Sequence, residues 1–204
     1  MRSQTEPRRQ PVRLKDHDYS QPGAYFVTLT TQHRFCAFGA ITDGVMNLNP
    51  IGQMVDRWWR EIPRAFPRVG VDIFAIMPNH VHGIVIIETV PVVGADLCVC
   101  PNAAARPGTH ANGVGAHTGA PLQPRGRNPT SLPRIIQWFK TMTTNEYIRG
   151  VRQYAWPDFP GHFWQRSYYE RIIRNASELT RIRRYILDNP TNWQQDKNFR
   201  LNLT

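Results

Sequence analysis

Met77-Pro78-Asn79-His80-Val81-His82-Gly83-Ile84-Val85-Ile86-Ile87 is the stretch on which the reading of this 204-residue chain turns. Pro78-Asn79 is a turn signal, and β-branched residues run on directly behind two histidines separated by one apolar residue. Side chains of a strand alternate faces, so His80 and His82 project from one side together with Ile84 and Ile86. Val81, Gly83, Val85 and Ile87 line the other side, and apolar character on both faces predicts a strand central in its sheet. Two imidazoles held about 6–7 Å apart at Cα can share one divalent ion. The same pair also suits packing or hydrogen bonding, which is the commoner use of histidine in a strand.

Working outward, Val69 to Met77 reads as a strand that the Pro78-Asn79 turn joins to the histidine strand as an antiparallel hairpin. Before it, 50–62 is expected to be a helix. Asn49 is its N-cap, Pro50 opens it, Ile51, Met54, Val55, Trp58 and Ile62 form its apolar stripe, and Pro63 stops it. Ala24 to Thr31 alternates as a strand, and 39–48 is expected to pair with it as a short hairpin arm around Asp43-Gly44. Residues 1–22 are polar and basic, with Arg8, Arg9, Arg13 and Lys15, and read as an arm ending in a Pro22-Gly23 turn.

Beyond the histidine strand the composition changes. From Thr89 to Thr130 there are no aromatic residues, six Gly, six Pro and four charged groups, which cannot bury enough surface to offset the entropy of ordering. A flexible insertion at about 89–130 is expected, with His110 and His117 solvated. A helix follows over 131–149, with Ser131 as its cap and Ile135, Ile136, Phe139, Met142, Thr143 and Tyr147 at helical spacing. Residues 163–170 read as a strand. Asn175 with Glu178 resembles a capping box that opens a last helix from Ala176 to Asp188, ended by Asn189-Pro190. Residues 196–204 are a tail too short to be a domain. Helices interleaved with a mainly antiparallel sheet predict an α+β sandwich of ferredoxin-like type, one domain over 23–195.

Charge narrows the function. There are 25 Lys and Arg against 15 Asp and Glu, a net of +10, and 22 of the basic residues are Arg. The guanidinium fork matches phosphate oxygens in pairs, so a nucleic-acid partner is favoured over a membrane surface, for which no basic amphipathic anchor is evident. No apolar run is long enough to span a bilayer and no signal-like apolar segment opens the chain, so a cytoplasmic location is expected. Cys36, Cys98 and Cys100 make no C-x-x-C pair and no disulfide framework. None of Lys15, Lys140 and Lys197 follows a glycine, so no nucleotide-cradling loop, and no nucleotide cofactor, is expected.

On the last helix Leu179, Ile182 and Ile186 form the buried stripe, and Tyr185 and Asn189, four apart, share one face at its edge. Taken alone, these are a boundary tyrosine and a helix stop. Together with the Met77–His82 lead-in, however, the stretches Trp164-Gln165-Arg166-Ser167-Tyr168-Tyr169-Glu170-Arg171-Ile172-Ile173-Arg174-Asn175 and Tyr185-Ile186-Leu187-Asp188-Asn189-Pro190 resemble the REP-associated tyrosine transposases. These are single-tyrosine endonucleases of the His-apolar-His (HUH) type, related to small insertion-sequence transposases. The similarity covers about 20–195, interrupted by the insertion.

The resemblance implies that His80, His82 and Asn189 ligate Mg²⁺ or Mn²⁺ and that Tyr185 is the nucleophile, forming a 5′-phosphotyrosine on single-stranded, hairpin-forming DNA. Elementary chemistry is consistent with those roles: a phenol with a pKa of about 10 needs a nearby cation to ionise at neutral pH, and imidazole donors would also tolerate Zn²⁺. Tyr168 and Tyr169 are rival nucleophiles lacking an Asn four residues on. DNA contacts are expected from Arg134, Lys140, Arg166, Arg171, Arg174, Arg181 and Arg184, with Trp164 and Tyr168 available to stack on bases. Two other readings stand beside a transposase: a DNA-binding module that has lost cleavage, and a replication initiator or relaxase-type nickase. Monomer and homodimer are both open.

Overall fold

The computed structural model describes residues 17–89, 130–159 and 161–199. Most of the basic arm, the insertion expected at 89–130 and the end of the tail lie outside the described residues. The elements are β1 (Gly23–Thr30), β2 (Gly39–Thr42), β3 (Val45–Leu48), α1 (Pro50–Arg60), α2 (Ile62–Ala65), β4 (Val69–Met77), β5 (His80–Ile87), α3 (Leu132–Tyr154), β6 (Tyr169–Ile173) and α4 (Ala176–Asp188).

β5 is central. The main sheet has the order β4-β5-β1-β6, and every pairing in it is antiparallel. With two crossovers through helices, this is the ferredoxin-like α+β arrangement the strand pattern predicts. Met77 pairs with His80, so Pro78-Asn79 is a two-residue turn, and Thr28 lies opposite His82. Alternation then sorts the two faces. Tyr25, Val27, Leu29, Val81 and Val85 enter the larger core with Trp59 of α1 and Ile135, Ile136 and Phe139 of α3. Phe26 and Ile84 enter a smaller core with Ile182 and Ile186 of α4. His80 and His82 therefore point toward α4, on the thinly covered side.

Gly83 is what lets the thick side close. A Cβ there would stand 2.3 Å from Cζ2 of Trp59, whose fully buried indole lies against the strand. In α1, Asn49 caps as expected, its side chain accepting from the Gly52 N–H at 2.9 Å. In α4, Asn175 likewise accepts from the Glu178 N–H at 2.8 Å.

The structure differs from the sequence reading in four places. β2 and β3 form their own two-stranded sheet and do not join β1. Asp43 and Gly44 both have positive φ, the geometry that closes a tight two-residue hairpin. Pro63 does not end the helical segment but sits in the first turn of α2, where its missing N–H costs nothing. α3 runs to Tyr154, beyond 149, and Ser131 stands at its N-cap position without a side-chain bond. The strand expected at 163–170 is instead β6 at 169–173. Phe163 and Trp164 are consecutive yet both buried in the same core, which the alternation of a strand forbids.

Candidate functional site

The face of the sheet under α4 carries the polar residues singled out above. His80 and His82 are buried, and their Nε2 atoms lie 2.9 Å apart. Each ring's other nitrogen has a partner. Asn79 donates its amide N–H groups to the carbonyls of Arg34 (3.1 Å) and Asn198 (2.8 Å), which leaves its Oδ1 facing His80 Nδ1 at 2.8 Å. That oxygen can only accept, so His80 carries its proton on Nδ1 and offers a lone pair at Nε2. His82 Nδ1 meets the Thr28 hydroxyl at 2.8 Å. A hydroxyl both donates and accepts, so His82 can take either tautomer.

Two wirings follow. Without a cation, Thr28 donates to His82 Nδ1 and His82 Nε2–H donates to His80 Nε2. With one, His82 Nδ1–H donates to Thr28, and both Nε2 lone pairs converge on one point. Burial, first, and the neighbouring imidazole hold His80 well below its ordinary pKa, and burial lowers that of His82. Both rings are thus neutral at pH 7, the state that binds metal.

A third donor is Asp196, from the segment after α4. Its Oδ2 lies 4.0 Å from His80 Nε2 and 3.9 Å from His82 Nε2, and its side chain is 5% exposed. Metal–ligand bonds of about 2.0–2.2 Å allow donor atoms up to about 4 Å apart to share an ion, so His80, His82 and Asp196 fit a divalent cation. Among the described residues this is the one group of three His, Cys, Asp or Glu side chains close enough to do so. The sequence reading found no carboxylate beside the histidines. Its one trace is that Trp193 and Phe199 supply apolar anchors in the tail on either side of Asp196; the Trp193 indole is buried, with its ring centroid 5.9 Å from that of His80.

Tyr185 reaches the same place. Ile182 and Ile186 pin α4 to the sheet, and the Tyr185 hydroxyl lies 3.4 Å from His82 Nε2 of its own chain. Its ring packs edge-on against Phe26, centroids 6.0 Å apart. Burial pushes the phenol above its ordinary pKa, a side-chain hydrogen bond with Asn189 pulls it down, and the negative charge of Asp196 raises it further. Asn189 is buried one turn on, with Nδ2 3.4 Å from the Tyr185 carbonyl. The structure thus brings His80, His82 and Tyr185 together and sets Asn189 beside the phenol. Tyr169 is also on this face, across the sheet from Thr28, with Lys197 Nζ 5.2 Å from its ring centroid. Tyr168 is half-buried and lies under Lys140, whose ammonium is 5.5 Å from its ring centroid.

The basic residues divide by what they already hold. Lys140 donates to the carbonyls of Gln165 (2.7 Å), Arg166 (3.4 Å) and Ser167 (3.4 Å), gathering the irregular stretch before β6. Arg171 and Arg181 share Glu178, at 2.6 and 3.8 Å. Arg183 pairs with Asp72 at 2.7 Å. Arg166, Arg174 and Arg184 are exposed with no carboxylate partner among the described residues, and Arg134 is exposed on α3. Trp164 is buried and donates its indole N–H to Thr143 at 2.9 Å, which makes it a core residue.

No family model matches the chain. An uncharacterized protein of Haemophilus influenzae (strain ATCC 51907 / DSM 11121 / KW20 / Rd) is 33% identical over 190 residues, 93% of this chain and 92% of that protein. The solved structure of a REP-associated tyrosine transposase bound to a REP hairpin superposes with a TM-score of 0.52 at 14% identity, covering 88% of this chain and 73% of that one. Among the described residues no helix is long and apolar enough to cross a membrane. The chain belongs to one family with the Haemophilus influenzae protein, and its fold is that of a REP-associated tyrosine transposase.

Proposed function

We propose that this chain is a metal-dependent single-stranded DNA endonuclease and strand transferase, a transposase whose Tyr185 becomes joined to a 5′ phosphate. The observation that carries the reading is a phenol oxygen 3.4 Å from one buried imidazole nitrogen, itself 2.9 Å from a second. The Nε2 atoms of His80 and His82, with the amide oxygen of Asn189, would hold Mg²⁺ or Mn²⁺. Such a cation, when bound, supplies Lewis-acid polarisation of the scissile phosphate and a positive charge that favours phenolate.

The protein's own groups do the rest. Tyr185 Oη loses its proton and bonds to phosphorus, the P–O3′ bond breaks, and the leaving oxygen takes up a proton as a free 3′ hydroxyl. Attack by another 3′ hydroxyl reverses the step and restores the phenol, with no nucleotide cofactor. α4 contributes orientation, because burying Ile182 and Ile186 fixes the backbone from which Tyr185 reaches the imidazoles. Arg166, Arg174 and Arg184, unpaired with carboxylates, are the readiest phosphate contacts; Arg134, Arg171, Arg181 and Lys140 would contribute around them. Hairpin-forming repeat DNA is the substrate class, supported by the REP hairpin bound in the structural neighbour.

The test is incubation of the full chain with labelled hairpin DNA and Mn²⁺. A covalent protein–DNA adduct, abolished by Tyr185→Phe, is expected. Salt-sensitive binding with no adduct under any divalent ion would instead identify a non-cleaving DNA-binding module.

A further inference from the structure

Asp196 lies beyond the last full helix, yet its carboxylate is directed at the imidazole pair and shielded from solvent. Three independent features hold it there. Its Oδ1 accepts from the Asn198 N–H at 2.6 Å, closing a tight turn that leaves Oδ2 facing the histidines. The Asn198 carbonyl accepts from Asn79 Nδ2 at 2.8 Å, and Asn79 Oδ1 is the group that pins His80. One fully buried amide therefore sets the lone pair of one imidazole and clasps the backbone that carries Asp196. Trp193, buried against His80 and packed on Phe199 with centroids 5.3 Å apart, anchors the segment from its other end.

We propose that Asp196 is the anionic ligand of the divalent cation held by His80 and His82. The inference rests on the metal-dependent reading above and deepens it. Two neutral imidazoles and a neutral amide leave both charges of a divalent ion uncompensated in a buried site, whereas one carboxylate oxygen cancels half of that charge. A carboxylate also shifts the donor set toward the mixed nitrogen and oxygen ligands that Mn²⁺ accepts. The remaining positions stay open for phosphate oxygen, water and the Asn189 amide. Asn79 is a positioning residue: it is fully buried and acts through His80 and the Asn198 carbonyl.

The experiment is titration of the full chain with Mn²⁺ alone, without DNA, read by the loss of the free-ion electron paramagnetic resonance signal. Asp196→Asn keeps the oxygen that accepts from Asn198 and places an uncharged NH2 group, which cannot ligate a cation, where Oδ2 faces the histidines. It is expected to weaken Mn²⁺ binding by about tenfold or more. Asp188→Asn, an exposed acid on α4, is expected to leave it unchanged. His80→Ala is expected to abolish it.

If Asp196→Asn binds Mn²⁺ as tightly as the wild type while His80→Ala does not bind, the inference is overturned and the metal site stands. If the wild type binds no Mn²⁺, both fall. Hydrogen exchange on the unmutated protein gives a second readout that does not depend on a variant folding. Mn²⁺ is expected to slow exchange of the amides over 193–199 severalfold, and no change there overturns the proposal.

Discussion

The Thr28 hydroxyl stands 2.8 Å from Nδ1 of His82, on the strand directly opposite it in register, and it is able both to donate and to accept. His80 is locked by an amide oxygen, so adaptation to a bound cation falls to His82 and Thr28. Thr28→Val, which keeps the shape and removes the hydroxyl, is expected to lower Mn²⁺ affinity by about 10–100-fold, the usual cost of losing an outer partner of a metal ligand. Thr28→Ser should restore most of it. Isothermal titration of the three proteins checks this, and equal affinities would mean that the hydroxyl does not orient the ring.

The proposed function assigns affinity for DNA and the ability to cut it to different residues. His80→Ala is expected to reduce adduct formation by about a hundredfold or more while single-strand affinity stays within about threefold, because in this reading binding would come from distributed Arg–phosphate contacts. Filter binding and adduct assays on one preparation separate the two. Parallel loss of both would contradict that division.

Acid should loosen the fold before it reaches the carboxylates. His80 and His82 are held below the ordinary 6.5 by burial, so the folded state binds fewer protons than the unfolded chain once pH falls below about 6.5. Stability then declines as pH drops. Asp196 acts in the same direction at lower pH: burial works against it, but the neighbouring His82 and the hydrogen bond from the Asn198 N–H win, lowering its pKa to about 2. Its contribution is complete above the ordinary 3.8 and is lost only between there and about 2. In chelator-treated buffer the unfolding temperature is expected to fall between pH 6.5 and 5, and a His80→Gln/His82→Gln double variant should flatten that fall. A variant that declines as steeply as the wild type would place the titration elsewhere.

Gly83 shows how the thick core constrains the site strand from behind. Its Cβ position is occupied by the fully buried indole of Trp59, which has no room to retreat. Gly83→Ala is expected to cost about 1–3 kcal/mol by overpacking. Chemical denaturation measures it, with Gly70→Ala, where the nearest atom to the new Cβ is 3.8 Å away, as the tolerant comparison.

Much of this was legible in the chain because period alone carries it. Alternation in 80–87 put both histidines on one face and predicted a central strand, and the structure has β5 between β4 and β1. The Ile182/Ile186 stripe and the spacing of Tyr185 and Asn189 predicted one helix presenting both, and α4 does. Local chemistry likewise read the caps of α1 and α4. What failed was local too: 163–168 looks like a strand because it is aromatic, but Phe163 and Trp164 are both drawn into one core and the ladder starts only at Tyr169.

The sequence by itself determined which residue types are available and which of them share a face, since side-chain period is a property of the backbone. Only the tertiary structure decided that the α4 tyrosine reaches the imidazoles of its own chain, that Thr28 meets His82 while Asn79 fixes the proton of His80, and that a tail carboxylate, Asp196, joins them. The contacts of His82 with Thr28, Tyr185 and Asp196 span 54, 103 and more than 110 positions, and Asn79, though next to His80 in sequence, is oriented by carbonyls 45 and 119 positions away; no local pattern encodes a distance between residues so far apart. They come from sheet register, from the face on which α4 packs, and from one buried amide holding the turn at Asp196–Asn198 in place.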